Sequence, residues 1–483
     1  MDNLFLIFLL SGRTSPTFGH ASFRLRAESY SYPYALDSQL ETSMSPRNAL
    51  QKGSTISLDP RAVAAQARFD REHIPPRAVH AAGAGAFGTF TVTTDFSSQY
   101  TTMDVLNGVG KQTPITVRLS NALGEKGSFD TARNIRGFAL KFSTKQGIWD
   151  LVMNNTPVFF LRDPAKFPVL IHSQSRSPVT NLPDADIAFN YLANNPESLN
   201  QFLRTFSDAG TAKGWLQTDA FTGHAYQWIN ADGSWVYVKL WCRSNQGESN
   251  FTATEEAQVG DSDFGSRALY NSINSGEFPS WTVFAQVLTA SQAASFRYDV
   301  LDVTKEWPFS LVKPHEIGRF ELNKNPSNYF TEVEQLAFSP ANVVEGWAPS
   351  ADPVLQMRLF AYADAQRYRL GPYYQQIPVN CPMRCASQNQ TGFPDFSPTG
   401  SSLADGRSPE TSNSPTAPSE LPDIDYEQPR DFYANLISMQ KNDLINNLVE
   451  ALSFVQNSTI RDRAIDVLSR ASTELSTRIY AAM

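Results

Sequence analysis

Arg358 and Tyr362 stand four residues apart, so on a helix their side chains share one face. A guanidinium beside a phenol favours the phenolate by charge pairing, and a phenolate is an anionic ligand of the kind ferric iron takes. Without Arg358, Tyr362 would read as a packed core tyrosine. His80 is one of only six histidines. A histidine can move a proton between substrate atoms near neutral pH, although an isolated one more often serves structure. It precedes Gly83-Ala84-Gly85-Ala86-Phe87-Gly88, a G-x-G-x-x-G pattern. A dinucleotide-binding turn needs a helix after that pattern. Here Thr89 to Thr94 is β-branched strand material, so that reading is rejected. The glycines instead let the backbone approach something flat or bulky. The chain carries no G-x-S-x-G or H-E-x-x-H motif, and Cys381-Pro382-Met383-Arg384-Cys385 lacks the further ligands of a zinc site.

The elements around these residues read mostly as strands from Phe69 to Phe309. Thr89–Thr93, Ile115–Leu119, Gly137–Phe142 and Thr282–Val287 alternate at period two. Tyr226–Ile229 and Trp235–Leu240 flank Asn230-Ala231-Asp232-Gly233, whose Asp-Gly supplies the positive φ of a tight hairpin. So many antiparallel strands predict a barrel or sandwich. Asp184–Phe206 reads as a helical insertion and Val354–Arg369 as a further helix. Thr391–Pro429 is rich in Pro, Ser, Thr and Gly and reads as a linker. Leu444, Leu448, Leu452 and Val455 mark one helical face; Ile460, Ala464, Val467, Leu468, Leu475 and Ile479 mark more helix. The apolar run Leu4–Leu10 resembles a signal-peptide core, but Asp2 sits where a positive region belongs, so an irregular arm is expected instead.

The 483 residues comprise 41% apolar and 18% charged side chains, enough for a large buried core. The net charge of -8, without basic blocks, speaks against nucleic acid as the main partner. No apolar run approaches the ~20 residues of a membrane helix, so no membrane partner is expected. Three cysteines in so long a chain argue against a disulfide scaffold and fit a reducing compartment.

Three fragments gain meaning together: Arg77-Ala78-Val79-His80 through Gly88; Asp150 through Asn154-Asn155 to Phe159-Phe160-Leu161-Arg162-Asp163-Pro164; and Arg358-Leu359-Phe360-Ala361-Tyr362 through Arg369-Leu370-Gly371-Pro372. In this order they resemble the haem catalase family, from about Phe69 to Pro382, with a looser likeness in the C-terminal helices. The resemblance implies an α+β fold. An antiparallel β-barrel haem domain (66–317) would follow an irregular N-terminal arm (1–65). A wrapping segment with the proximal helix and linker (318–429) and a helical domain (430–483) would come after it. It further implies a haem enzyme that disproportionates hydrogen peroxide to water and oxygen through an oxyferryl intermediate.

By the same resemblance, Tyr362 is the proximal ligand of the haem iron and Arg358 its charge partner. His80 is the distal histidine, which takes a proton from one peroxide oxygen and returns it to the other. Asn154 matches the distal amide, and Ser120 the hydroxyl that holds the histidine ring. Arg77, Arg118 and Arg369 fall at propionate-binding positions, since buried carboxylates need cationic partners. Phe167 matches a ring stacked on the porphyrin, and Val79 and Phe159 match pocket and channel positions.

The sequence also departs from the family. Asn134 stands where an aspartate is usual in the access channel, and Ala122 replaces a valine. Asn200 and Phe309 replace common histidines, and Ala209 replaces the arginine that pairs with the NADPH phosphate, so weak or no NADPH binding is expected. The altered channel leaves an alternative open, a catalase-fold haem oxidase that tailors a small organic substrate in a fungal alkaloid or other secondary-metabolite pathway. A homotetramer is expected, in the cytoplasm or peroxisome rather than outside the cell. Ala481-Ala482-Met483 is not a standard peroxisomal ending.

Overall fold

The computed structural model describes residues 60–381 and 421–483. Most of the arm expected over 1–65, with its Leu4–Leu10 run, and most of the Thr391–Pro429 linker lie outside the described residues. The chain divides into two compact units, with Pro76 opening the larger one. The described part of the smaller unit is helix α1 (Pro60–Arg71) and the residues up to Pro75. The expected boundary after residue 65 therefore falls inside α1.

The larger unit is built on ten strands, β1 (Gly83–Val92), β2 (Gln112–Asn121), β3 (Arg136–Thr144), β4 (Gly147–Asn154), β5 (Ala220–Phe221), β6 (Tyr226–Ile229), β7 (Trp235–Ser244), β8 (Ser280–Thr289), β9 (His315–Lys324) and β10 (Trp347–Pro349). Neighbours run β7-β5-β4-β3-β2-β1-β9-β8, and β8 pairs back onto β7 from Val236↔Thr289 to Ser244↔Trp281. That last pairing closes eight antiparallel strands into a barrel and excludes a sandwich. β6 and β10 extend the sheet from the first half of β7. The expected hairpin joins β6 to β7 through Gly233 at φ +78°.

The G-x-G-x-x-G run lies within β1 itself. Its last glycine marks a bulge against β9, where a Cβ would land on the carbonyl oxygen of Glu321. Large apolar rings fill the barrel: Phe138 meets Trp281 edge to face at 5.3 Å, and Trp149 meets Trp347 at 5.1 Å.

The helices of this unit are α2 (Phe167–Ser173), α3 (Ala185–Asn194), α4 (Leu199–Phe206), α5 (Ala253–Val259), α6 (Phe264–Asn274), α7 (Ala290–Ala294), α8 (Pro353–Leu370), α9 (Glu427–Asn435), α10 (Ser438–Ser453), α11 (Ser458–Ser469) and α12 (Thr473–Ala482). α8 starts where Asp352 caps the amides of Val354 and Leu355 and Pro353 takes the first turn. Leu444, Leu448 and Leu452 of α10 are buried with Phe189 of α3 and Leu203 of α4 in one apolar cluster. The inserted helices and the C-terminal helices thus share a core. Two further expected boundaries also fall inside elements, the one after 317 within β9 and the one after 429 within α9. Cys242 is free and buried, and Cys381 is disulfide-bonded.

Candidate active site

α8 lays Arg358, Tyr362 and Arg369 along one face, while Met357, Phe360 and Tyr368 are exposed on another. Arg358 Nη2 donates to Tyr362 Oη at 3.0 Å and to the Val152 carbonyl at 3.0 Å. Burial alone would lower the Arg358 guanidinium; the charges of Tyr362 and Tyr226 outweigh it and hold the group above its ordinary value. Behind it, His224 Nδ1 meets Asp352 Oδ2 at 2.5 Å. Burial pushes His224 down, while His224 and the capped amides pull Asp352 below the carboxylate range despite its own burial. The His224–Asp352 contact anchors the start of the helix bearing Tyr362.

The distal group sits at the ends of β1 to β4. His80 has φ +64°, unusual for a non-glycine residue. Its amide donates to the Ala122 carbonyl at 2.9 Å, and Arg118 Nη1 donates to its own carbonyl at 2.7 Å. Nδ1 lies 3.0 Å from Ser120 Oγ. Gly137 packs against the ring so closely that a Cβ there would strike Nδ1 and stand 2.6 Å from Ser120 Oγ. Gly137 is the strand partner of Asn154, which brings the amide to the same corner. Burial, then the charges of Arg118, Arg358 and Arg77, push His80 down to about 3. Its imidazole is neutral across the physiological range. Its sensitivity to Arg358 links the strand side of the site to the helix side.

Arg77, Arg118 and Arg369 converge. Leu336 O accepts from Arg77 Nη2 at 2.8 Å and from Arg369 Nη2 at 3.1 Å. Arg77 stands well below its ordinary value through burial and through the charges of Arg118 and Arg369; Arg369 is pushed down to about 10, chiefly by burial. Glu334, in a single π-helical turn (Phe330–Glu334), comes no nearer to Arg77 Nη1 than 4.0 Å. Arg77 Nη1, Arg118 Nε and Glu334 Oε2 are buried without hydrogen-bond partners. Three neighbouring guanidiniums, two of them with an orphaned nitrogen, suit a doubly anionic ligand. Together with the Arg358–Tyr362 pair, these residues fit ferric haem. Val79 is half-buried beside His80, and Phe167 opens α2 with 37% of its surface exposed.

Comparison with known proteins agrees in scope and order. The catalase family model matches residues 37–404, and the model of the catalase-related immune-responsive domain matches 420–483. This chain belongs to the catalase family. A catalase of Schizosaccharomyces pombe is 42% identical over 438 residues, which span 86% of this chain and 85% of the relative. The peroxisomal catalase of Pichia angusta is 41% identical over 447 residues, 87% of this chain and 88% of the relative. The solved structure of catalase A from Saccharomyces cerevisiae superposes with a TM-score of 0.80 at 37% identity, covering 90% of this chain and 95% of that one. The activity is that of a catalase, disproportionation of hydrogen peroxide to water and oxygen. Nothing in the comparisons favours the organic-substrate alternative.

At positions read from the sequence as departures from the family, the side chains are engaged locally. Asn134 pairs with the Leu123 backbone at both ends of its amide, accepting from N at 3.1 Å and donating to O at 2.8 Å. Asn200 donates to Gln428 at 3.3 Å, and Phe309 packs on the Trp241 ring at 4.7 Å. Sequence reasoning missed His224, Asp352, Gly137 and Glu334. Only Asp352 carried a local signal, as a capping residue before proline.

Proposed function

We propose that Tyr362 would hold ferric haem through its phenolate, with Arg358 stabilising that charge and Arg77, Arg118 and Arg369 receiving the two propionates. Bound there, haem supplies the oxidising and reducing equivalents that pass between one peroxide molecule and the next. The protein's part is proton movement and orientation. With Nδ1 donating to Ser120 Oγ, His80 presents Nε2 as a base. It takes the proton from one peroxide oxygen and returns it to the other, so that the O–O bond breaks heterolytically. The Asn154 amide donates a hydrogen bond that orients the peroxide. Phe167 and Val79 exclude water and bulky reductants.

The observation that carries this reading is a neutral His80 held to Ser120 inside a cluster of cationic charge. The test is oxygen evolution from hydrogen peroxide by purified haem-loaded protein and by His80→Ala. The variant should keep its Soret band and lose about 10²–10⁴-fold in rate; undiminished evolution would overturn the role given to His80.

The finer biology follows the same reading. The assembly is a homotetramer, as in the family at large. NADPH binds weakly or not at all, because Asn200 and Phe309 stand where histidines are common and Ala209 offers no charge to the cofactor phosphate. NADPH retained through purification would count against this. The relatives from Pichia angusta and Candida boidinii are named peroxisomal, which supports an intracellular, cytoplasmic or peroxisomal location.

A further inference from the structure

The segment that leaves β4 runs from Asn155 to Arg162 and follows directly on Asn154. Arg162 ends it between two carboxylates from remote parts of the chain. Nη1 donates to Asp302 Oδ2 at 2.9 Å and to Asp425 Oδ1 at 3.1 Å, and Nη2 donates to Asp425 Oδ2 at 2.9 Å. Lys305 Nζ lies 2.6 Å from Asp425 Oδ1 and 3.7 Å from Asp302 Oδ2. Asp302 Oδ1 accepts from the amide and hydroxyl of Thr304 at 2.8 and 2.6 Å, which fixes the turn between them. Within that turn, the Val303 carbonyl accepts the amide of Phe159 at 2.9 Å. Burial works against the charge of both Arg162 and Asp425. Contact with Asp425 and Asp302 nevertheless holds the guanidinium above its ordinary value, and contact with Arg162 and Lys305 holds the Asp425 carboxyl below its own.

Asp425 belongs to the part of the chain matched by the second family model, residues 420–483. Its neighbours reach the same side: Glu427 pairs with Arg297, and Gln428 donates to the Glu306 carbonyl at 3.0 Å. A bidentate pair fixes direction as well as distance. We propose that Arg162 and Asp425 are positioning residues for peroxide turnover: through them the C-terminal region holds the segment 155–162 in the register that presents the Asn154 amide to peroxide. The proposal rests on the orienting role given above to Asn154.

The test uses the haem-loaded full chain. Asp425→Asn removes the charge and keeps the shape. Amide exchange at Phe159 and its neighbours should accelerate about tenfold, the loss expected for one buried charge-assisted contact. kcat/KM for hydrogen peroxide should fall by about the same factor. Haem per chain and the pH profile should stay unchanged, and Asp425→Glu should restore most of the rate. Unchanged exchange at Phe159 overturns the proposal, as does a rate loss that merely tracks haem loss. Should Asp425→Asn fail to fold, Asp302→Asn leaves the bidentate pair intact; it should give a smaller acceleration at the same amides, and none overturns the proposal. Asn154→Ala separates the two readings. Full turnover there, beside accelerated exchange in Asp425→Asn, refutes the orienting role while the clamp itself stands.

Discussion

Lys141 and Asp150 face each other across β3 and β4 as a fully buried pair, whereas Arg77, Arg118 and Arg369 gather their charges with one distant carboxylate. In the first group every contact is internal. Lys141 Nζ reaches both oxygens of Asp150, at 2.8 and 2.9 Å, and the Ser339 amide and Asn342 side chain complete the carboxylate. In the second group nitrogens of Arg77 and Arg118 are left unpartnered, and the guanidiniums lower one another. Both clusters carry the desolvation cost of buried charge. Only the first has every charged group matched by an opposite charge within hydrogen-bond distance, and even there burial holds the Asp150 carboxyl above its ordinary value. The difference separates a cluster whose charges are matched inside the barrel from one that leaves buried guanidinium nitrogens unmatched.

That contrast can be broken from either side. Lys141→Met leaves Asp150 buried without its cation and should cost about 3–5 kcal/mol of stability. Urea midpoints should fall equally with and without haem, because the pair serves the fold. Arg77→Leu should act in the opposite sense. It relieves repulsion in the haem-free protein, so it should cost much less there than Lys141→Met. Haem affinity should fall about 10–100-fold through the loss of one charge-assisted contact. Equal losses of stability in the two variants, with unchanged haem affinity in Arg77→Leu, would erase the distinction.

The two clusters also differ in how far the sequence revealed them. Arg77, Arg118 and Arg369 were found through resemblance, since each alone reads as a surface residue. Arg358 and Tyr362 were legible without it, because helical spacing is a local rule. Period-two alternation likewise identified most of the barrel strands, and the leucine stripe identified α10. β9 was missed as a barrel strand because its residues alternate weakly, and its place depends on pairing with β1 and β8. Gly137, Glu334 and the His224–Asp352 pair are products of tertiary register: the residues of each contact lie far apart along the chain. The G-x-G-x-x-G run shows the reverse case. A local pattern suggested a phosphate-binding turn, and the β-branched residues after it correctly placed it in a strand.

The remaining expected effect concerns His80, which sits between the two regimes. Its ring is satisfied by Ser120 but lies in the field of Arg118, Arg358 and Arg77. Its native value of about 3 is below the 6.5 of a free histidine. The unfolded chain therefore binds a proton that the native chain refuses between those two values, and stability must fall as pH drops through that window. The contribution is fully present above pH 6.5 and is lost progressively toward pH 3. Thermal midpoints of the wild-type protein and His80→Ala should run parallel above about pH 7 and draw apart below about pH 6, with the wild type losing more. Addition of an anion that fills the arginine cluster should shift the apparent value of His80 upward and shrink that difference. Parallel curves down to pH 4 would mean that neither burial nor the arginine charges hold the ring neutral, whereas divergence untouched by the anion would assign the effect to burial alone.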